Sequence, residues 1–245
     1  QTLTSAIKAA RKSLSARYFT AQAETYYSSQ SGRVMRVPGS AGIRIHEMCC
    51  SEWQAHPSRF ELLRQVCLAK PDTVELWSGA AQELKRVGNY LDLSTKFSTR
   101  INHVEDLDYA ATHADIISFA DIFVRCSSNS QDGLNAALKL MADAKSRGLQ
   151  VRAYVSDAFQ SPDGVGTDPA TVQDTVVALA DADAYSIIIS DDNETSETDS
   201  LRDVIEAALW VDVVGESMLE RLGLRAALPA CAAAAALGLT RFDAR

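Results

Sequence analysis

The residues able to ligate a metal or move a proton are unevenly spread along this chain. Its four histidines are His46, His56, His103 and His113, and residues 114–245 contain none. Any imidazole chemistry must come from the first half. His46, Cys49, Cys50 and His56 crowd together as zinc-type ligands would. Adjacent cysteines, however, are poorly placed to take two corners of one tetrahedral ion, which argues against zinc. The five cysteines, Cys49, Cys50, Cys67, Cys126 and Cys231, form no C-x-x-C pair and are odd in number. That fits buried thiols in a reducing compartment better than a disulfide framework. Asp191, Asp192, Glu194, Glu197 and Asp199 make an acidic stretch. It lacks the turn glycine and the terminal bidentate glutamate of a calcium loop at the required places, and reads as a solvated loop. Gly164-Val165-Gly166 is a lone G-x-G and is explained by a turn.

The elements that must position these side chains alternate in type. Short β-rich runs fall at 43–48, 73–78, 96–101, 115–119, 151–156, 185–190, 210–214 and 239–242. Helical patterns separate them, as at 58–69 and 133–147. In the second, Leu134, Ala137, Leu138, Met141 and Ala144 recur at helical spacing. Asp168-Pro169 announces a further helix, an N-cap followed by proline at the first helical position. Repeated strand–helix alternation predicts a parallel sheet, because parallel neighbours need a crossover. Eight strands are the number that closes a (β/α)8 barrel. The rival, an open doubly wound sheet, calls for a glycine-rich phosphate loop after the first strand. Cys49-Cys50-Ser51-Glu52-Trp53 stands there instead, so the α/β barrel is the expected fold.

Composition sets the outer bounds. A chain of 245 residues with 47% hydrophobic and 23% charged residues is ordinary for a globular protein. No apolar run approaches the roughly 18 residues a membrane span requires. The alanine-rich stretch 226–237 carries Pro229 and reads as a packed helix. A net charge of -8 argues against direct nucleic-acid binding through global charge. Residues 1–45 differ: Lys8, Arg11, Lys12, Arg17, Arg33, Arg36 and Arg44 face one acid, Glu24. This basic, hydroxyl-rich composition is that of an organellar transit region, or of a basic arm that docks on a partner. Leu3, Ile7, Ala10 and Leu14 recur at helical spacing within it. The expected organisation is a basic N-terminal extension over 1–42 and a barrel over 43–245. The barrel would be truncated after its eighth strand, leaving apolar surface for the arm or another polypeptide to bury.

Several segments carry a resemblance. Val151-Arg152-Ala153-Tyr154-Val155-Ser156-Asp157-Ala158-Phe159-Gln160-Ser161-Pro162 resembles the fifth strand of hydroxymethylglutaryl-CoA lyase and its barrel metallolyase relatives. Tyr185-Ser186-Ile187-Ile188-Ile189-Ser190-Asp191-Asp192 resembles the sixth strand with its Gly-Asp-Thr end. Residues 234–244 are similar to the helix and strand that close the barrel. Arg44-Ile45-His46-Glu47-Met48 and Val74-Glu75-Leu76-Trp77-Ser78 can be laid on the first two strands.

The resemblance implies a TIM-type barrel and a set of catalytic positions that this chain departs from. Where the family has Arg-Asp-Gly after the first strand, this sequence has Ser51-Glu52-Trp53. A serine cannot replace a guanidinium's fixed charge and fork of donors. The second-strand glutamate corresponds to Glu75, and the sixth-strand acid to Asp191. The family's His-x-His on the seventh strand falls either at Asp212-Val213-Val214-Gly215 or at Leu219-Glu220-Arg221-Leu222, and neither holds a histidine. Ser51, Glu52, Glu75 and Asp191 are thus degenerate counterparts of catalytic positions, with no catalytic residue, cofactor or metal expected. Trp53, Trp77 and Trp210 either fill the former cavity or pack in the core.

The function expected is a catalytically inactive lyase-like barrel, a pseudoenzyme. It would be a structural or interaction subunit of a larger mitochondrial complex, in the matrix or on the matrix side of the inner membrane. Its partners would be protein subunits. Membrane proximity would arise through the complex and not through a transmembrane segment. The alternative is a divergent acyl-CoA lyase or aldolase. Its metal site would be rebuilt from carboxylates such as Glu47, Glu52, Glu75, Asp191 and Asp212, which lie in the region where barrel chemistry occurs. A third reading is a regulatory domain that binds a CoA ester without turning it over.

Overall fold

The computed structural model describes residues 25–27, 34–36, 44–47, 54–68, 71–87, 95–126, 131–192, 198–209 and 218–244. A small antiparallel pair comes first, β1 (Thr25–Tyr27) and β2 (Val34–Arg36). The remaining strands are β3 (Arg44–Glu47), β4 (Thr73–Leu76), β5 (Lys96–Ile101), β6 (Ile117–Arg125), β7 (Gln150–Ser156), β8 (Ser186–Ser190), β9 (Leu222–Arg225) and β10 (Arg241–Ala244). They close into one barrel in the order β10-β3-β4-β5-β6-β7-β8-β9, every pair parallel. The helices are α1 (Arg59–Leu68), α2 (Ala80–Val87), α3 (Val104–Thr112), α4 (Gln131–Ser146), α5 (Pro169–Asp181), α6 (Thr198–Leu209), α7 (Met218–Arg221) and α8 (Leu228–Ala236). Among the described residues no helix is long and apolar enough to cross a membrane.

Local chemistry accounts for several boundaries. Asp168 caps α5: its Oδ1 accepts from the Ala170 amide at 2.9 Å, with Pro169 in the first turn where its missing N–H costs nothing. His103 and His113 bracket α3 as its N-cap and C-cap residues. The His113 ring Nδ1 lies 2.9 Å from the Tyr109 carbonyl oxygen. The His113 ring is thus tied to the last turn of α3. α8 accommodates Pro229 in its first turn, and Gly238, with φ 98°, turns the chain toward β10.

Two apolar clusters hold the wall. The larger joins outward residues of the strands (Val151, Ala153, Val155, Ile187, Ile189, Leu222, Leu224 and Phe242) to Met141, Val176, Leu179, Val204, Ile205 and Ala234 on the helices. The smaller packs Leu63 and Val66 of α1 and Leu84 of α2 against Val74, Leu76, Trp77 and Phe97. Trp77 is a core residue, edge-on to Phe60 at 5.6 Å. Phe242, the outward residue of the last strand, is 4% exposed, so the wall is covered at that point.

The seventh barrel strand differs from the sequence expectation. It is β9, Leu222–Arg225, and not 210–214, which lies outside the described residues. The expected run is richer in valine, but β9 gains what intrinsic preference does not record: register on both sides, pairing Ile187 with Leu222 and Arg241 with Gly223. The fourth barrel strand starts later and runs longer than expected, to Arg125. The His113 carbonyl first accepts the Ile116 and Ile117 amides and so holds residues 113–116 in a turn. The arm helix expected near Leu3 and Leu14 lies outside the described residues, as do Cys49, Cys50, Ser51, Glu52, Trp53, Trp210, Asp212, Glu194 and Glu197.

Candidate functional site

Inside the barrel, alternate positions of the strands carry polar groups where branched apolar residues normally fill the layers. β5 contributes Ser98 and Arg100, β6 Asp121 and Phe123, β7 Arg152 and Tyr154, β10 Asp243, and β4 Glu75. Glu75, Ser98, Asp121 and Tyr154 are fully buried, and Arg152 is 1% exposed. Arg152 is the hub. Its Nε lies 3.4 Å from Asp121 Oδ1, and its Nη2 lies 3.3 Å from Asp243 Oδ2 and also donates to the Tyr154 hydroxyl. Tyr154 Oη in turn donates to Asp243 Oδ2 at 2.6 Å, and Ser98 Oγ donates to Asp121 Oδ2 at 2.6 Å.

One layer higher, Arg100 pairs with Glu75 at 3.6 Å and lies over the Phe123 ring at 4.4 Å, while Phe123 stacks on Tyr154 at 4.6 Å. Burial pushes the Asp121 carboxyl up to about 7, against the Arg152 guanidinium; the Glu75 and Asp243 charges push it the same way as burial. Asp121 therefore holds its proton more readily than an ordinary aspartate does.

At the C-terminal mouth, where barrel chemistry is performed, acids are again met by arginines. Asp157 is buried with φ 58°, and its Oδ2 lies 3.9 Å from Arg125 Nε. Burial raises its proton affinity, Arg125 opposes that and Asp192 adds to it. Asp192 accepts from Ser190 Oγ at 2.8 Å and from Arg225 Nη1 at 3.4 Å. The Asp191 amide donates to the Arg225 carbonyl at 2.8 Å, stitching the ends of β8 and β9 together.

Of the sequence-chosen positions, Glu75 sits in the lumen against Arg100, and Asp191 is buried at the mouth. Ser51 and Glu52 lie outside the described residues, and Glu47 is placed only by register, beside Val74 and Ala244. Of the four residues weighed as zinc ligands, His46 is in β3, His56 is exposed with its Nδ1 accepting from the Ser58 amide, and Cys49 and Cys50 lie outside the described residues. Cys67, Cys126 and Cys231 are buried thiols; burial pushes Cys126 and Cys231 up to about 11, so neither is a ready thiolate.

The inward positions of β9 are Gly223 and Arg225. A Cβ at Gly223 would stand in van der Waals contact, 3.4 Å from Arg241 Cβ and from Ile188 Cγ1, and glycine itself brings no ligand atom. Arg225 brings a guanidinium, a fixed cation that cannot ligate metal. Among the described residues no three His, Cys, Asp or Glu side chains come together to hold a metal ion. Glu75 and Asp192 each face an arginine, and an ion pair of that kind competes with the divalent metal the resemblance implies. The lumen set of Ser98, Asp121, Arg152 and Asp243 was not singled out as a site from sequence. Its signal is alternation: polar residues at every second place in strands that otherwise read as buried parallel β.

No protein-family model and no curated protein matches this chain by sequence. Solved structures do match it. An HMG-CoA lyase from Brucella melitensis superposes with a TM-score of 0.72 at 15% identity, over 84% of this chain and 81% of that one. The hydroxymethylglutaryl-CoA lyase from Pseudomonas aeruginosa gives 0.72 at 17% identity, over 83% and 76%. The carboxyl transferase domain of Rhizobium etli pyruvate carboxylase gives 0.59 at 13% identity, over 84% of this chain and 40% of that one. The chain thus has the fold of the hydroxymethylglutaryl-CoA lyase-like (β/α)8 barrels.

Proposed function

We propose that this chain is a lyase-type barrel without lyase chemistry, acting as a structural or interaction subunit of a larger mitochondrial complex. The observation that carries the reading is β9: its inward pair is Gly223 and Arg225, and no histidine follows His113 in the chain. The resemblance assigns the metal-binding imidazoles to that strand. The engagement of Glu75 by Arg100 and of Asp192 by Arg225 supports the same reading, because carboxylates held by guanidinium groups are poor recruits for a rebuilt metal site. The basic composition of residues 1–45 supports import into mitochondria and contact with partner chains.

The test is turnover of hydroxymethylglutaryl-CoA by the purified full chain with excess Mg²⁺ or Mn²⁺. No rate above the protein-free blank is expected. Metal-dependent turnover that Glu52→Gln abolishes would overturn the proposal. Isolation of the native protein from mitochondria should return it at the mass of an assembly, and a lone monomer there would count equally against it.

A further inference from the structure

β10 closes the barrel, with Arg241–Ala244 in parallel register between β3 and β9. Outward, Phe242 is buried in the larger apolar cluster. Inward, Asp243 is buried, and its partners stand across the lumen on β7, with β8 and β9 intervening along the wall. Tyr154 Oη donates to Asp243 Oδ2 at 2.6 Å, and Arg152 Nη2 lies 3.3 Å from the same oxygen. One carboxylate therefore ties β10 to the far wall.

The guanidinium in that tie is shared. Arg152 Nε lies 3.4 Å from Asp121 Oδ1 on β6, and Asp121 Oδ2 accepts from Ser98 Oγ at 2.6 Å. With Asp121 protonated, Arg152 faces Asp243 as the one anion of the pair. With Asp121 ionised, two buried carboxylates share one guanidinium and repel each other, and each costs more to keep out of water. The proton is within ordinary reach: burial, against Arg152 and with the Glu75 and Asp243 charges, pushes Asp121 up to about 7. Other ionisable groups lie around the pair. Glu75 of β4 is 3.6 Å from Arg100 of β5. Arg225 of β9, in register beside Asp243, has Nη1 3.4 Å from Asp192 Oδ1. Cys231 of α8, pushed up to about 11 by burial foremost and also by the Asp243 charge, stays a thiol at neutrality. Register places His46 of β3 beside Asp243.

We propose that β10 is a proton-gated strand of the barrel. While Asp121 holds its proton, Arg152 and Tyr154 hold Asp243 and β10 stays docked. When Asp121 gives that proton to solvent, repulsion between the two carboxylates loosens β10 from β3 and β9. β10 is the member that yields, because it is four residues long against seven for β7 and nine for β6. Its release bares the backbone donors and acceptors of β3 and β9 along the seam. The inference concerns closure of the barrel and is independent of whether its mouth catalyses anything.

Hydrogen–deuterium exchange of the full chain, read by peptide mass spectrometry from about pH 6 to about pH 8 and divided by the intrinsic exchange rate, tests it. Exchange in β10 is expected to rise about tenfold across that window, and to stay faster than in β6 and β7, which open only with the whole barrel. Asp121→Asn should abolish the rise and leave β10 at its low-pH rate. If that variant does not fold, Ser98→Ala keeps the test open. It removes a hydrogen bond that favours the ionised carboxyl, so the rise should move to higher pH. β10 exchanging at one rate with β6 and β7 throughout would show whole-barrel unfolding and overturn the proposal. A rise that survives Asp121→Asn, or that Ser98→Ala leaves in place, overturns it too. A rise lost in His46→Gln but kept in Asp121→Asn would assign the gate to the histidine, with the same consequence.

Discussion

The two faces of the same barrel strands are built on opposite principles. Outward, β7 presents Val151, Ala153 and Val155 to helices that bury them completely or nearly so. Inward, it presents Arg152 and Tyr154 to two aspartates. The outer face gains from each apolar area removed from water, roughly 25 cal/mol per Å², and asks for little direction. The inner face pays to desolvate charge and recovers it only through correct geometry. One strand therefore combines a tolerant surface with an exacting one, and single substitutions should separate them.

The largest expected effect is at the hub. Arg152→Met leaves Asp121 and Asp243 buried without their common counter-charge. It should cost about 3–5 kcal/mol in denaturant unfolding, or prevent folding at neutral pH. A loss below about 1 kcal/mol would break the comparison by making the lumen as tolerant as the wall.

A middle-sized effect is expected with pH. The folded-state pKa of Asp121 is raised by burial to about 7, above its unfolded value. The folded state therefore holds the proton more tightly, and this group's contribution is fully present below the unfolded carboxyl range. It is lost as pH rises toward about 7. Asp121→Asn mimics the protonated carboxyl. It should flatten the fall in melting temperature between the carboxylate range and neutrality, and it should leave the variant relatively more stable at the alkaline end. An unchanged slope in thermal scans across that range would assign the titration to another group.

The smallest effect belongs to the wall. Ile187→Val removes one methylene from a fully buried outward position and should cost about 0.5–1.5 kcal/mol. The inner position beside it, Ile188, touches Tyr154 and should tolerate a polar replacement even less well. If Ile187→Val proved costlier than Arg152→Met, the division between the faces would fall.

Much of the architecture was legible in the chain because period and punctuation are local. The strands at Thr73–Leu76, Lys96–Ile101, Gln150–Ser156 and Ser186–Ser190 and the start of α5 at Asp168-Pro169 follow from patterns within a few residues. β9 did not, because four residues containing a glycine carry almost no intrinsic strand preference; its place is fixed by partners at Ile187 and Arg241, far away in sequence. The site divides in the same way. The absence of histidine after His113 was plain from the sequence and carried the functional argument.

What sequence alone determined is the alternation that makes a closed parallel barrel, and the imidazole chemistry its second half cannot supply. Tertiary structure alone decided that Ser98, Asp121, Arg152, Tyr154 and Asp243 meet. The physical reason is that hydrophobic period is written between near neighbours. Charge pairing across a lumen depends on strand register, and Tyr154 and Asp243, 89 positions apart, are brought together only when the barrel closes.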